Sequence, residues 1–328
     1  MQEIKKILKQ LTRERAKKEI DAIQRVKLPP YFQKWIKEYK KVSNRSSYLW
    51  LWTYRSVQLV TLPDVPLKYR RSLYETKSLM VMFVTLLDDV ADNMKSEKLL
   101  QEILKTPFFK KKDIKFHQLN FKERRYLKFT MKLWDHIIKT IERYPKYYEF
   151  KDIFEFDLNQ ILNIIKYAYL VNKKNCLINK TEYCLYFPHN LPIILSFTID
   201  LMCYLKFDIK ELGKIREVGW EAQKLGQSVN WITTWEREIT DKDFTSGIFA
   251  YAIDLDVLKV DELKEGKNGG IIKKIKKAEI EKKVLKECSP FYNKIKKLKK
   301  KIKTIDVGEF LLNFKKLIIL QLSSRGNY

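Results

Sequence analysis

Hydrophobic residues recur every three or four positions over most of the chain, which is the period of one buried face of an α-helix. Segments with this pattern cover residues 2–26, 31–41, 48–62, 67–94, 97–104, 121–143, 150–170, 209–240 and 307–322. The chain has only nine glycines and nine prolines, so few residues interrupt these segments. The pattern predicts an all-α protein rather than a many-stranded one.

Prolines and short polar runs mark the predicted ends of these helices. The first segment ends at Pro29-Pro30, and the apolar residues 181–205 are broken by Pro188 and Pro192. Polar connections are predicted at residues 172–179, 241–247 and 266–270, and the segment 271–303 is predicted to be interrupted at Pro290. No internal repeat or long linker divides the chain. We therefore expect one helical domain, residues 1–328, in which residues 1–29 form a helix that could lie at the periphery.

The composition supplies a large core and a strong positive charge. Hydrophobic residues make up 45% of the chain and aromatic residues 13%, while the formal net charge is +26. The charge peaks in residues 271–303, where fourteen lysines face three glutamates. Ile271, Ile275 and Ala278 recur among these lysines at helical intervals, as on a surface helix. Two interpretations stay open: solvated helix faces, or attraction for an anionic partner.

The cysteines and the termini give an expectation about location. Cys176, Cys184, Cys203 and Cys288 show neither CxxC pairing nor zinc-ligand spacing, which is typical of a reducing compartment. The N-terminus lacks the apolar core of a signal peptide, and no apolar run reaches about 18 residues. We expect a cytoplasmic protein without a transmembrane segment, although weak association with a membrane surface stays open.

A first acidic cluster, Asp88, Asp89 and Asp92, follows a long apolar segment. On a regular helix Asp88 and Asp92 lie one turn apart on one face, and Asp89 is displaced by about 100°. Carboxylates at the end of a buried helix repel one another and resist desolvation unless a cation compensates them. Magnesium suits this position, because it takes oxygen ligands and shares them with substrate phosphates. The alternative is an acidic helix end in solvent.

A second acidic cluster, which also contains neutral polar residues, lies about 140 residues further along the chain. Asn230, Thr234 and Glu238 follow one helical stripe and supply an amide oxygen, a hydroxyl and a carboxylate, all hard oxygen donors. Arg237 is adjacent and could reach a phosphate bound there. Two such faces opposed across a cavity could hold magnesium ions, and the ions could hold a diphosphate. The alternative is a polar stripe on a surface helix.

Taken together, Asp88-Asp89-x-x-Asp92 and Asn230-x3-Thr234-x2-Arg237-Glu238 resemble the paired motifs of class I terpene synthases. In that family a DDxxD motif precedes an (N/D)xxx(S/T)xxxE motif, often with a basic residue before the glutamate. The resemblance covers about residues 30–328. It implies the all-α isoprenoid synthase bundle around a central cavity. It also implies a Mg²⁺-dependent lyase that ionises an allylic prenyl diphosphate, cyclises the cation or eliminates a proton from it, and releases diphosphate.

The resemblance also implies roles for individual residues. Three magnesium ions are expected, with ligands from both clusters: Asp88, Asp89, Asp92, Asn230, Thr234 and Glu238. Arg237 would contact the diphosphate. Arg325 and Tyr328 would do so from the C-terminus, although the family's adjacent Arg-Tyr pair is separated here by Gly326-Asn327. Aromatic side chains would wall the pocket, and the candidates are Phe83, Phe187, Phe197 and Trp220, together with Trp52 and Tyr186.

One family feature is missing from the sequence. Microbial members usually carry an arginine that senses the diphosphate about 45 residues before the second motif, whereas residues 151–200 contain no arginine. His189 or Lys180 could replace it. The substrate implied is farnesyl diphosphate (C15) first and geranylgeranyl diphosphate (C20) second, from the size typical of the family. The sequence sets neither the chain length nor the product, and both a monomer and a homodimer stay open.

Other functions are weighed against the same residues. A chain-elongating prenyltransferase needs a second DDxxD motif, and a head-to-head condensing enzyme needs a second DxxxD motif; the chain has neither. A basic helical module that binds nucleic acid or a membrane surface would explain the lysines but not the two acidic clusters, so no nucleic-acid partner is expected. There is also no HExxH, P-loop or GxSxG motif.

Overall fold

The computed structural model describes Ile7 and residues 10–327, and in that part of the chain it contains helices and no β-strand. The prediction of an all-α fold is therefore confirmed. Fifteen α-helices, α1 to α15 in chain order, lie within the described residues: Arg13–Gln24, Pro30–Tyr39, Ser47–Val60, Leu67–Asp89, Glu97–Ile103, Phe121–Ile141, Tyr147–Lys173, Lys180–Tyr186, Ile193–Leu201, Leu212–Thr240, Gly247–Asp254, Val260–Glu265, Asn268–Lys277, Ile280–Leu298 and Val307–Ser323. Residues 2–6, 8 and 9 of the predicted first helix lie outside this description.

Five of these helices form a closed ring. Helix α3 packs against α4, α4 against α9, and α9 against α10. Helix α10 then packs against α15, which returns to α3. The second acidic cluster lies on α10, opposite the C-terminal end of α4, where the first cluster lies. The ring therefore brings together two segments that are far apart in the sequence.

The first cluster sits where the helix geometry changes. Helix α4 ends at Asp89 and continues as a single π-helical turn, Val90–Met94, before Lys95 adopts a left-handed conformation with φ of 51°. Ser96 then caps α5, because its hydroxyl accepts a hydrogen bond from the Leu99 N–H. The sequence pattern predicted a regular helix through residue 94, and Asp92 instead lies in the wider turn.

The predicted interruption at Pro290 is wrong. Helix α14 passes through Pro290, and the break lies earlier, at Glu279, which has a left-handed φ of 54°. Proline removes one helical N–H and leaves the carbonyl of Lys286 without its partner. Both residues are exposed, so water can solvate that carbonyl.

Two further helices, α11 and α12, lie in residues 247–265, where the sequence pattern predicted no element. Each has eight residues or fewer, which is too short for a 3.6-residue period to stand out. In contrast, Pro188 and Pro192 do break the segment 181–205, into α8, a 3₁₀ turn at Phe187–Asn190, and α9.

A buried ion pair joins three helices of the ring. Lys77 on α4 donates to both carboxylate oxygens of Asp200 on α9, at 2.9 and 3.0 Å, and to the Thr61 hydroxyl at the end of α3. The Leu62 N–H also donates to Asp200. The side chains are 2% and 0% exposed. Burial lowers the pKa of Lys77 and raises the pKa of Asp200, yet each charge has its partners.

We predict that Lys77→Met lowers the free energy of unfolding by about 3–5 kcal/mol, because it leaves the Asp200 carboxylate buried without a cation. The double variant Lys77→Met/Asp200→Leu should recover most of that loss, since both charges are then gone. Urea unfolding of the three proteins measures this. A double variant no more stable than the single variant would contradict the proposed pairing.

Candidate active site

The ring of five helices encloses a cavity of about 280 Å³. Its walls are mainly apolar and include aromatic and branched side chains from each side of the ring: Trp52, Val84, Phe187, Ile193, Trp231 and Phe314. Members of both predicted clusters line the same cavity. The arrangement is therefore a mainly apolar chamber with acidic residues at the C-terminal ends of α4 and α10.

Two members of the first cluster line the cavity, Asp88 in the last turn of α4 and Asp92 in the π-helical turn. Asp88 is partly exposed, and its Oδ1 lies 3.4 Å from the Asn190 amide nitrogen. Asp92 is buried, and its Oδ1 accepts a hydrogen bond of 2.9 Å from the Asn172 amide. These two carboxylates are available to a ligand in the cavity.

Asp89 is occupied by protein groups. Its Oδ2 accepts hydrogen bonds of 2.9 Å from the hydroxyls of Tyr39 and Ser43, and its Oδ1 accepts from the Arg45 guanidinium and from Asn93. It does not line the cavity. Both carboxylate oxygens are thus used in fixing the helix end to the loop before α3, so the structure places Asp89 apart from Asp88 and Asp92.

All four residues of the second motif line the cavity. The Thr234 hydroxyl donates to the Asn230 carbonyl at 2.8 Å, and Gln321 of α15 donates to Asn230 Oδ1 at 3.1 Å. Glu238 is buried. Its Oε2 has no hydrogen-bond partner among the described residues, although the Thr234 hydroxyl lies nearby. The Arg237 Nε is also buried without a partner in the described part of the chain.

The carboxylates of the two clusters influence one another. Burial, followed by repulsion from Asp243, raises the pKa of Asp88 to about 6 and the pKa of Glu238 to about 8. The same two causes raise the pKa of Asp92 well above its usual value. Asp243 thus acts on members of both clusters, and it lines the same cavity as they do.

Sequence reasoning missed Asp243, which it placed in a polar connection. Asp243 is buried, lines the cavity and directly follows Lys242, a residue with a left-handed φ of 54°. Its backbone N–H donates to the Glu238 carbonyl at 2.8 Å. The only sequence signal was an aspartate five residues after Glu238.

The residues present suit a hard cation. They supply carboxylate, amide and hydroxyl oxygens, and the unpartnered Glu238 Oε2 is the kind of buried atom that a cation would satisfy. Among the described residues, no three His, Cys, Asp or Glu side chains lie close enough to hold an ion by themselves. Magnesium bound here would therefore complete its shell with water, ligand oxygens or the Asn230 and Thr234 side chains.

The other predicted pocket residues lie in three places: the cavity, the core behind its wall, and a second depression of the surface. Phe187 lines the cavity. Phe83 packs against Trp134 with ring centroids 4.8 Å apart, and Phe197 packs against Phe310 at 5.1 Å, so both belong to the core behind the cavity wall.

His189 and Trp220 lie elsewhere. Their rings are 4.8 Å apart, and they line a second depression of the surface with Arg216. Lys180 pairs with Glu287 at 3.0 Å and does not line the cavity. The basic side chains that do line it, within the described residues, are Arg45, Lys77 and Arg237. Arg45 precedes α3 and was missed, because nothing in its sequence context marks it.

Arg325 is engaged away from the cavity. Its guanidinium donates to Glu236 at 2.6 Å and to Glu281 at 2.7 Å, and it does not line the cavity. The Trp235 indole donates to the same Glu281 at 2.7 Å. The structure thus ties the end of the chain to α10 and α14. Tyr328 lies outside the described residues.

Comparison with known proteins identifies the fold. No protein-family model matches the chain, and no curated protein sequence matches it. Among solved structures, it is similar to abietadiene synthase from Abies grandis, with a TM-score of 0.54 and 13% sequence identity. The match covers 94% of this chain and 37% of that one, so the chain spans little more than a third of its length. The chain therefore has a terpene synthase fold, as the motifs predicted.

Within the part of the chain that the structure describes, none of the helices combines the length and the apolar character that crossing a bilayer requires.

We predict that the two cavity arginines differ in their effect on stability. Arg45→Ala should cost about 3 kcal/mol, because it strips the cation from Asp89, which is 4% exposed. Arg237→Ala should cost less than about 1 kcal/mol, because Arg237 is 37% exposed and its carboxylate contacts are 3.9 and 4.0 Å long. Denaturant unfolding of both variants measures this, and equal losses would contradict it.

Proposed function

We propose that this protein is a Mg²⁺-dependent class I terpene synthase that converts an allylic prenyl diphosphate into a terpene. One observation carries the proposal: Asp88 and Asp92 at the end of one helix and Asn230, Thr234 and Glu238 on another line the same, mainly apolar cavity. If Asn230, Thr234 and Glu238 were only a polar stripe on a surface helix, they would face solvent. They line a cavity together with members of the first acidic cluster instead. The terpene synthase fold supports the same conclusion.

In this proposal the acidic end binds the diphosphate. Asp88, Asp92, Asn230, Thr234 and Glu238 would hold the magnesium ions. Bound magnesium would supply the positive charge that stabilises the departing diphosphate. Asp89, the sixth predicted ligand, would position Arg45 rather than bind magnesium. Its carboxylate oxygens accept hydrogen bonds from Arg45 and from two neighbouring hydroxyls.

The cavity arginines complete the diphosphate end. Arg237 lies beside Glu238 and has an unpartnered Nε, so its planar fork could donate to phosphate oxygens. Arg45, held by Asp89, faces the cavity from the opposite cluster. We assign Arg45, rather than His189 or Lys180, as the basic residue that stands in for the missing arginine.

The apolar part of the cavity would control the fate of the cation. Once diphosphate has left, an allylic cation that meets water is quenched, so the walls must exclude solvent. Trp52, Phe187, Trp231 and Phe314 line the cavity, and aromatic faces attract cations. The chain would then cyclise or lose a proton, for which the released diphosphate is a suitable base.

We predict activity on a C15 or a C20 prenyl diphosphate with Mg²⁺, with farnesyl diphosphate as the first candidate. The purified protein is incubated with C10, C15 and C20 prenyl diphosphates, with and without isopentenyl diphosphate. Extracts are analysed by gas chromatography–mass spectrometry. A terpene hydrocarbon or alcohol that depends on Mg²⁺ is the expected result. Longer prenyl chains made with isopentenyl diphosphate, and no terpene, would instead indicate an elongating prenyltransferase.

We predict that Asp88→Ala or Glu238→Ala reduces turnover by at least about 10²-fold, because each removes a charge that binds the cations acting on the leaving group. Neither change should lower the thermal stability without Mg²⁺, since each removes one of several crowded carboxylates. Asp135→Ala, an exposed carboxylate on α6, is the matched control and should keep full activity. Full turnover in both site variants would refute the metal assignment.

A further inference from the structure

A single side-chain amide joins the first acidic cluster to Asp243, which follows the second cluster in the chain. Asn172 lies in the last turn of α7, and its Nδ2 donates to Asp92 Oδ1 at 2.9 Å and to Asp243 Oδ1 at 3.2 Å. Both N–H bonds of one nitrogen are thereby used. The two carboxylate oxygens can be no farther apart than the sum of these hydrogen-bond lengths. Like charges are seldom brought so close without a compensating group.

The orientation of this amide is fixed by its other end. The Asn172 Oδ1 accepts a hydrogen bond of 2.8 Å from the Phe244 backbone N–H. An amide nitrogen cannot accept that hydrogen bond, and an amide oxygen cannot donate to carboxylates, so only one orientation satisfies all three partners. Asn172 therefore holds Asp92, Asp243 and the backbone after Asp243 as one unit.

Asp243 is fixed independently of Asn172. Its Oδ1 also accepts from the Thr245 hydroxyl at 2.7 Å and from the Thr245 N–H at 3.1 Å. Its own N–H donates to the Glu238 carbonyl. A further bridge runs from Lys95 Nζ to the Lys242 carbonyl at 3.0 Å, just beyond the ends of both clusters. The segment that carries Asp243 is thus attached to the helices of both clusters.

These contacts use one oxygen of each carboxylate and leave the other. Within the described residues, Oδ2 of Asp92 and Oδ2 of Asp243 receive no hydrogen bond from an amide, a hydroxyl or a cationic group. Both residues line the cavity, as does Glu238. Glu238 is 7% exposed, and its Oε2 is buried without a hydrogen-bond partner in the described part of the chain. Carboxylates of both clusters that keep one oxygen free of amide, hydroxyl and cationic partners in the described part of the chain therefore line one cavity.

We propose that Asp243 is a further binding residue for the divalent cations, and that Asn172 is a positioning residue that sets the spacing of Asp92 and Asp243. The proposal rests on the metal site of the proposed function. It adds a carboxylate that belongs to neither motif, and it makes α7 the third element of the site. Groups that orient metal ligands in this way commonly contribute 10-fold or more to metal affinity.

The test measures cation binding directly. The thermal stability of each protein is titrated with MgCl₂ in the presence of inorganic diphosphate, and the Mg²⁺ concentration at half-maximal stabilisation is compared. Asp243→Asn keeps an oxygen for Asn172 and Thr245 but removes the charge, so it separates binding from folding. Asn172→Leu keeps the size but removes the clamp. Asn159→Leu, an exposed asparagine on the same helix, is the matched control.

We expect Asp243→Asn and Asn172→Leu each to raise the half-maximal Mg²⁺ concentration about 10-fold or more, while Asn159→Leu leaves it unchanged. Should Asn172→Leu fail to fold, Asp243→Asn alone decides. If Asp88→Ala abolishes the stabilisation by Mg²⁺ while Asp243→Asn matches the unmodified protein, this inference is overturned and the proposed function stands. If Asp88→Ala also changes nothing, the metal site of the proposed function fails, and this inference with it.

Discussion

The constraint on which the site depends is the repulsion between carboxylates gathered at one end of a desolvated cavity. Burial disfavours the charged form of Asp88, Asp92 and Glu238, and repulsion from Asp243 raises the pKa of all three further. A fold keeps such a group only if other interactions hold the helices that carry it. Here the ring of α3, α4, α9, α10 and α15 supplies them through apolar packing and the Lys77–Asp200 pair.

The carboxylates of this region are treated in two different ways. Asp89 and Asp200 are neutralised inside the protein, by Arg45 and by Lys77, and they stabilise the arrangement of helices. Asp88, Asp92 and Glu238 line the cavity instead, where the proposed function assigns them to magnesium ions. Adjacent residues such as Asp88 and Asp89 can thus differ completely in role, because successive positions on a helix point in directions about 100° apart.

Much of the fold could be predicted from the sequence, since amphipathic segments such as 31–41 and 121–143 carry a strong helical period. What could not be predicted depends on contacts between distant segments. Phe83 and Phe197 have the same aromatic character as Phe187, and only packing decides which of them meets the cavity. Arg45, Asn172 and Asp243 lie in or beside loops, where no periodicity marks a residue as facing the site.

The π-helical turn at Val90–Met94 has a consequence for how related proteins are recognised. A π turn holds one residue more than an α turn, so the distance between Asp88 and Asp92 in the sequence no longer fixes their relation in space. A homologue that lost one residue here could keep both carboxylates at the cavity with a regular helix, and its aspartates would then be spaced differently. Searches that require a fixed interval between these aspartates would overlook such a homologue, whereas a comparison of helix ends in three dimensions would find it.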